Sequence, residues 1–149
     1  MRKSRGEIIK DIAIIVLILT FVSIFLGNFQ IAWVEGTSMA PTLNERQILL
    51  IQKTYTNVST SDIIVFQLGN NLCIKRVIAI EGDLVELRNH CVYINEAIIR
   101  GVSYEGRDCN YPLEEGEYFV LGDNYLNSLD SRVYGPIKSD QIIGVVLGA

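Results

Sequence analysis

Two side chains stand out for chemistry they could share. Lys75 lies inside the apolar run Cys73-Ile74-Lys75-Arg76-Val77-Ile78, where a charged ammonium is costly to bury. Strand alternation puts Cys73, Lys75 and Val77 on one face and Ile74, Arg76 and Ile78 on the other, so whichever face is buried takes one cation with it. On an edge strand Lys75 would snorkel into solvent. Desolvated, it would hold its proton less tightly and, as a neutral amine, accept one from a serine hydroxyl. Ser38, in Glu35-Gly36-Thr37-Ser38-Met39-Ala40-Pro41-Thr42-Leu43, is the candidate nucleophile, although Ser-x-x-Pro read alone is a turn or a helix N-cap. A third stretch, Gly122 to Arg132, gathers Asp123, Ser128, Asp130 and Arg132. On their own these read as a turn hydroxyl and surface charges.

The rest of the composition narrows the choices. His90 is the only histidine, so a Ser-His-Asp triad would have to run through it, and a multi-histidine metal site is impossible. Cys73, Cys91 and Cys109 contain no C-x-x-C pair, which removes zinc ribbons and thioredoxin-like centres and leaves room for at most one internal disulfide. No metal and no cofactor are expected. The net charge of −4 is uneven: residues 1–11 carry +2, and residues 12–149 hold 9 basic and 15 acidic side chains. An acidic body without a basic stripe makes nucleic acid an unsuitable partner.

The elements that must position these residues begin with an apolar segment. Ile12 to Gly27 is uncharged but as a helix would reach only about 24 Å. Continuing to Trp33 gives about 33 Å and places an indole at the lipid–water interface. A cleaved signal peptide is the competing reading, but no A-x-A-like site follows the apolar run. The chain therefore divides into a basic N-terminus (1–11), a membrane anchor (12–33) and a domain from 34 to 149. The basic residues place the N-terminus in the cytoplasm and the domain on the extracytoplasmic face.

Beyond Trp33, short β-branched runs broken by turn residues read as strands. They are Ile48 to Gln52, Ile63 to Leu68, Leu72 to Ile80, Leu84 to Arg88, Cys91 to Ile94, Glu117 to Leu121 and Ile142 to Leu147. Ile98 to Glu117 is polar and glycine-containing and reads as a loop-rich excursion, part of a small accessory region at about 84–117. The fold expected is mostly β, in antiparallel sheets behind one N-terminal helix.

Taken together, the three stretches resemble bacterial type I signal peptidases. Ser38-Met39-Ala40-Pro41-Thr42-Leu43 is similar to the family's S-M-x-P-T-L box, Lys75-Arg76-Val77-Ile78 with Glu81-Gly82-Asp83 to its lysine box, and Gly122 to Arg132 to G-D-N-x-x-x-S-x-D-S-R. Asp62-Ile63-Ile64-Val65-Phe66 looks like a fourth box, with Ser61 in place of glycine, and Ala79 replaces the glycine of the lysine box. The order, the spacing and the preceding apolar segment agree over nearly the whole chain.

The resemblance implies a membrane-bound serine endopeptidase that removes signal peptides from exported preproteins, with Ser38 as nucleophile and Lys75 as general base. It implies that Ser128 orients the lysine amine, that the Ser38 backbone N–H binds the oxyanion, and that Asp130 with Arg132, and Asp123 with Arg76, support the loop. The hydroxyl that some members carry two residues before the nucleophile is here Gly36, which leaves the second oxyanion donor open. A substrate strand would lie beside Ile31 to Gly36 and Leu72 to Lys75, against Gly36, Met39, Cys73 and Ile74, with the lipid bilayer as the other partner. On an oxidising side of the membrane, Cys91 and Cys109 are candidates for a disulfide. A silent, binding-only relative would be expected to have lost Ser38 or Lys75, and both are present.

Overall fold

A computed structural model describes residues 5–55 and 57–148; Arg2 and Lys3 of the basic N-terminus lie outside them. Helix α1, Arg5–Asn28, has no buried residue, and its mean hydropathy of 2.6 over the best window makes it long and apolar enough to cross a membrane. Two of its polar side chains bond back to the helix itself. Thr20 Oγ1 donates to Val16 O at 2.8 Å and Asn28 Nδ2 to Ile24 O at 2.8 Å, the way such groups are accommodated where water is absent.

The helix stops at Asn28, five residues short of the Trp33 boundary that hydropathy suggested, and Phe29–Trp33 is instead strand β1. The cause lies elsewhere in the chain. Strand β2, Ile48–Gln52, pairs antiparallel with β1 from Phe29↔Gln52 to Trp33↔Ile48. Beyond it, Lys53 donates from its backbone N to Asn28 O at 2.8 Å and from Nζ to Leu26 O at 3.0 Å. Carbonyls left open at the helix end are thereby taken up, as a helix C-terminus requires. No loop separates α1 from β1.

The remaining strands are β3 (Ile63–Leu68), β4 (Asn71–Ala79), β5 (Leu84–Arg88), β6 (Cys91–Ile94), β7 (Ala97–Ser103), β8 (Cys109–Pro112), β9 (Glu117–Leu121), β10 (Ile137–Lys138) and β11 (Ile142–Val146), with a single helical turn, α2, at Ser131–Tyr134. They form a seven-stranded sheet in the order β1-β2-β11-β3-β4-β9-β10 and a four-stranded sheet in the order β7-β6-β5-β8. Every pairing is antiparallel. The mostly-β architecture expected from the sequence is the one found.

Strand β3 is the centre of the larger sheet. Ile63 and Val65 point into a core with Met39, Leu43, Leu49 and Ile51, while Ile64 and Phe66 point into another with Val77, Val120 and Ile137. Burial on both faces explains why the run Ile-Ile-Val-Phe is apolar without alternation. A third core, including Val85, Leu87, Val92, Phe119 and Leu121, joins the smaller sheet to β4 and β9.

The smaller sheet corrects two expectations. The excursion from Ile98 to Glu117 is not mainly loop, because it contributes β7 and β8. Cys91 and Cys109 are free thiols. Cys91 faces Arg88 and Cys109 faces Leu87 from opposite sides of β5, so an intervening strand separates them. Two strand spacings amount to about 9.5 Å, beyond the Cα separation a disulfide spans.

Candidate active site

The lysine that stood out in the sequence is buried, 6% exposed, in the middle of β4. Its register partner on β3 is Ile64, which is itself fully buried. Lys75 Nζ is 2.8 Å from Ser38 Oγ and donates to Ile74 O at 3.0 Å. Burial lowers its pKa below the ordinary lysine value of 10.5, opposed by the charges of Cys73 and Asp130. Desolvation wins, and the amine is more readily neutral than an exposed one.

Ser38 sits in the turn between β1 and β2. Gly36 begins the turn at φ +81°, a conformation that only glycine adopts without strain. Gly36, expected against the substrate, is exposed and does not itself line the groove described below, whereas Glu35 and Ser38 do. Met39, 1% exposed, anchors the other side in the core with Leu43. Ser38 thus lies between a turn opened by a glycine and a side chain fixed in the core.

The loop from Gly122 to Arg132 clamps this turn. Asn124 donates from its backbone N to Ser38 O at 2.9 Å and from Nδ2 to Thr37 O at 3.1 Å. Asn127 Nδ2 reaches Thr37 Oγ1 at 2.8 Å. Gly122 permits the approach: a Cβ there would lie 2.2 Å from Ser128 Oγ and 2.5 Å from Ser38 O. Asn124, Asn127 and Thr37 were not singled out in the sequence, because asparagines beside a glycine look like ordinary turn residues until the second loop is seen.

The two expected ion pairs are present. Arg76 Nε and Nη2 donate to Asp123 Oδ1 and Oδ2 at 2.8 and 2.7 Å, and Nη1 to Ser61 O at 2.7 Å. Burial alone would raise the Asp123 pKa, but hydrogen bonds from Arg76 and Thr42, with the Arg76 charge, outweigh it and hold the carboxyl below its ordinary value. Asp130, fully buried, accepts from Arg132 Nε at 2.8 Å, from Arg132 Nη2 at 2.9 Å and from Gly122 N at 3.1 Å. It also caps α2 through Arg132 N. Satisfied from several sides, a buried carboxylate becomes a rigid joint. Ser128 Oγ is buried and has no hydrogen-bond partner among the described residues; the hydrogen bonds of Lys75 Nζ go to Ser38 and Ile74.

A groove of about 390 Å³ leads to the Ser38–Lys75 pair, with Ile31 to Glu35 on one wall and Leu72 to Lys75 on the other. Met39, Cys73 and Ile74 also line it. Both walls have open strand edges. β1 ends the sheet and pairs with β2 alone, and β4 meets β9 only from Arg76 onward, so Asn71 to Lys75 has β3 on one side and nothing from β9 on the other. Unpaired N–H and C=O groups on two facing edges suit a peptide in extended conformation.

A hydroxyl facing a buried amine, at the end of a groove with strand edges for walls, defines a class: serine hydrolases that act on peptide chains. Comparison with known proteins narrows it. The family described as "Signal peptidase, peptidase S26" matches residues 5–148. Signal peptidase I U of Bacillus subtilis (strain 168) is 34% identical over 92% of this chain and 82% of its own length, and signal peptidase I of Bacillus licheniformis is 34% identical over 88% and 80%. A plant relative, thylakoidal processing peptidase 1 of Arabidopsis thaliana, is 31% identical over 74% of this chain and 38% of its own length. The chain belongs to the signal peptidase family, peptidase S26, and is a serine peptidase.

Proposed function

We propose that this chain is a membrane-anchored endopeptidase that cuts signal peptides from exported preproteins with Ser38 as nucleophile and Lys75 as general base. The observation that carries the reading is the 2.8 Å separation of Lys75 Nζ and Ser38 Oγ, with the amine desolvated. At that distance a neutral Lys75 takes the hydroxyl proton as Oγ attacks the scissile carbonyl. The Ser38 backbone N–H stabilises the oxyanion. Protonated Lys75 then gives its proton to the leaving amine, and the neutral amine regenerated activates the water that hydrolyses the acyl-serine ester. Ser128 Oγ makes no hydrogen bond to Lys75 in this structure, but buried against Gly122 with its hydrogen-bonding capacity unspent it is free to accept from the amine once Ser38 Oγ turns to the substrate.

The segment before the cut pairs with the edges of β1 and β4, and small pockets beside Met39, Cys73 and Ile74 select Ala-like side chains. Because α1 runs into β1 without a loop, a groove wall continues the anchor, and a substrate still held in the bilayer has a short path to the site. Arg5 and Lys10 on the first turns of α1 favour a cytoplasmic N-terminus and an extracytoplasmic domain.

The test is incubation of the detergent-solubilised protein with a preprotein carrying an Ala-x-Ala site, with products read by mass spectrometry. One cut after that site is expected for the wild type and none for Ser38→Ala. Folded wild type that cuts none of several such preproteins, or Ser38→Ala that still cuts, would overturn the reading.

A further inference from the structure

The wall of the groove does not stop where β1 begins. A further cavity, of about 380 Å³, is lined by Phe25, Leu26, Phe29, Gln30, Ile31 and Lys53, and Ile31 also lines the groove that leads to Ser38. One continuous wall therefore runs from the last turn of α1 along β1 to Glu35, beside the Ser38 turn. Near α1 this wall is apolar. Phe25 stacks on Phe29 with ring centroids 5.0 Å apart, and Leu26 and Ile31 are largely exposed. Lys53 is the one charged side chain of the lining, and its Nζ is directed at the Leu26 carbonyl.

The joint between anchor and wall is fixed. Besides the two bonds from Lys53 to Leu26 O and Asn28 O, Thr54 Oγ1 donates to Asn28 Oδ1 at 2.6 Å, and Gln52 Nε2 to Thr54 O at 2.7 Å. Asn28 in turn is held on Ile24 O. A hinge needs a few residues free to change φ and ψ, and here α1 passes into a paired strand with none between. The last turn of the helix thus lies at a constant distance from Ser38. Strand β1 has five residues, which in extended form cover about 17 Å.

We infer that this junction is a gauge: the end of the substrate's apolar segment seats against Phe25, Leu26 and Phe29, and the fixed length of β1 sets how many residues separate that segment from the bond that is cut. The wall determines the occupant. An apolar surface continuous with the anchor takes an uncharged apolar segment leaving the same bilayer, and the extended chain that follows it pairs with the open edge of β1 toward Ser38. Asn28, Lys53 and Thr54 are positioning residues, acting through the joint and not at the scissile bond. The inference rests on the reading of the chain as a membrane-anchored peptidase. It adds selection by spacing, which pockets for Ala-like side chains do not provide.

The test uses the full chain in vesicles of phosphatidylglycerol and phosphatidylcholine. The substrates are preproteins that differ only in the number of Gly and Ser residues between the apolar segment and the cut, and a short peptide that spans the cut and lacks the apolar segment. Wild type should prefer one spacing, with kcat/KM about tenfold lower once the apolar segment is displaced from the wall. A Gly-Ser linker of about four residues between Asn28 and Phe29 should flatten the series to within about threefold. Cleavage of the short peptide should stay within about twofold of wild type. Asn28→Ala with Thr54→Val, which removes side-chain ties at unchanged chain length, should broaden the optimum in the same direction, and this pair decides if the linker variant no longer cuts the short peptide. A flat series in wild type, the result if lipid fills the cavity, would overturn the inference. So would an optimum that persists unchanged in the variants, which would make the bilayer alone the gauge. Either result leaves the peptidase reading standing, whereas failure of wild type to cut both the preproteins and the short peptide would overturn that reading itself.

Discussion

The clamp behind Ser38 and the groove in front of it obey opposite rules. Behind Ser38, in the Gly122 to Arg132 loop, Asp123, Asn124, Asn127 and Arg132 are tied to partners in adjoining elements and Asp130 to Gly122 and Arg132 within the loop. In front of it, β1 and the first half of β4 leave their outer edges unpaired, and Ile31, Trp33 and Leu72 are largely exposed. Precise placement of a nucleophile needs every degree of freedom removed, because an error of an ångström costs about a hundredfold in rate. Binding many different peptides needs the reverse: backbone groups that pair with any sequence, and apolar walls that tolerate variation. One small domain accommodates both by separating them on either side of one serine.

If the division is right, substitutions behind the nucleophile should act on kcat and stability, and those in front of it on KM. The largest effect is expected at the lysine. Lys75→Met should abolish cleavage, by at least about a thousandfold, while raising stability at neutral pH. The sign follows from the lowered pKa of Lys75. Between its folded value and 10.5 the unfolded chain holds the extra proton, so the wild-type fold gains stability as pH rises through that window and carries the cost below it. Thermal melts of both proteins at several pH values check this, and an unaltered pH slope in Lys75→Met would contradict the burial argument.

Next comes the joint at Asp130. Asp130→Ala strands the buried Arg132 guanidinium and the Gly122 N–H, and a loss of about 3–5 kcal/mol is expected in denaturant unfolding. Gly122→Ala should follow, with kcat lower by about a hundredfold, since the new Cβ would meet Ser38 O at 2.5 Å and a backbone oxygen cannot move without moving the nucleophile. If Gly122→Ala changed KM alone, clamp and groove would not be separate.

Smaller effects sharpen the comparison. In wild type, kcat/KM should rise with pH through a single lysine titration whose midpoint is below 10.5, and His90→Ala should leave that profile in place. At the front, Leu72→Thr removes apolar surface from the groove wall without touching a hydrogen bond of the site. A rise in KM of about threefold with unchanged kcat is expected from the lost contact. A fall in kcat instead would mean that the open edge also positions the scissile bond.

How much of this was legible depends on how local the signal was. The strands β2, β3, β5, β6 and β9 were bounded correctly from their β-branched runs, since each alternates or is buried on both faces within its own few residues. β7 and β8 were missed because Gly101, Gly106, Pro112 and Gly116 in a polar stretch make it look like loop, and what holds them as strands is pairing with β6 and β5. At the site, Lys75 was visible by itself as a cation in an apolar run. Asn124 and Asn127 were not, because their partners lie 87 and 90 residues away.

By itself, then, the amino-acid sequence determined the apolar helix, the runs that pair as sheets and a lysine that would be costly to bury. Each of these rests on a side chain's own preference for water or for a neighbour within a few residues. Only the tertiary structure decided that Phe29–Trp33 leaves the helix for the sheet, that Cys91 and Cys109 remain apart, and that Lys75 is desolvated against Ser38. Those outcomes depend on which distant segment satisfies a backbone group or excludes water: Lys53 at the end of α1, β5 between two thiols, and the bare Cα of Gly122 against Ser38.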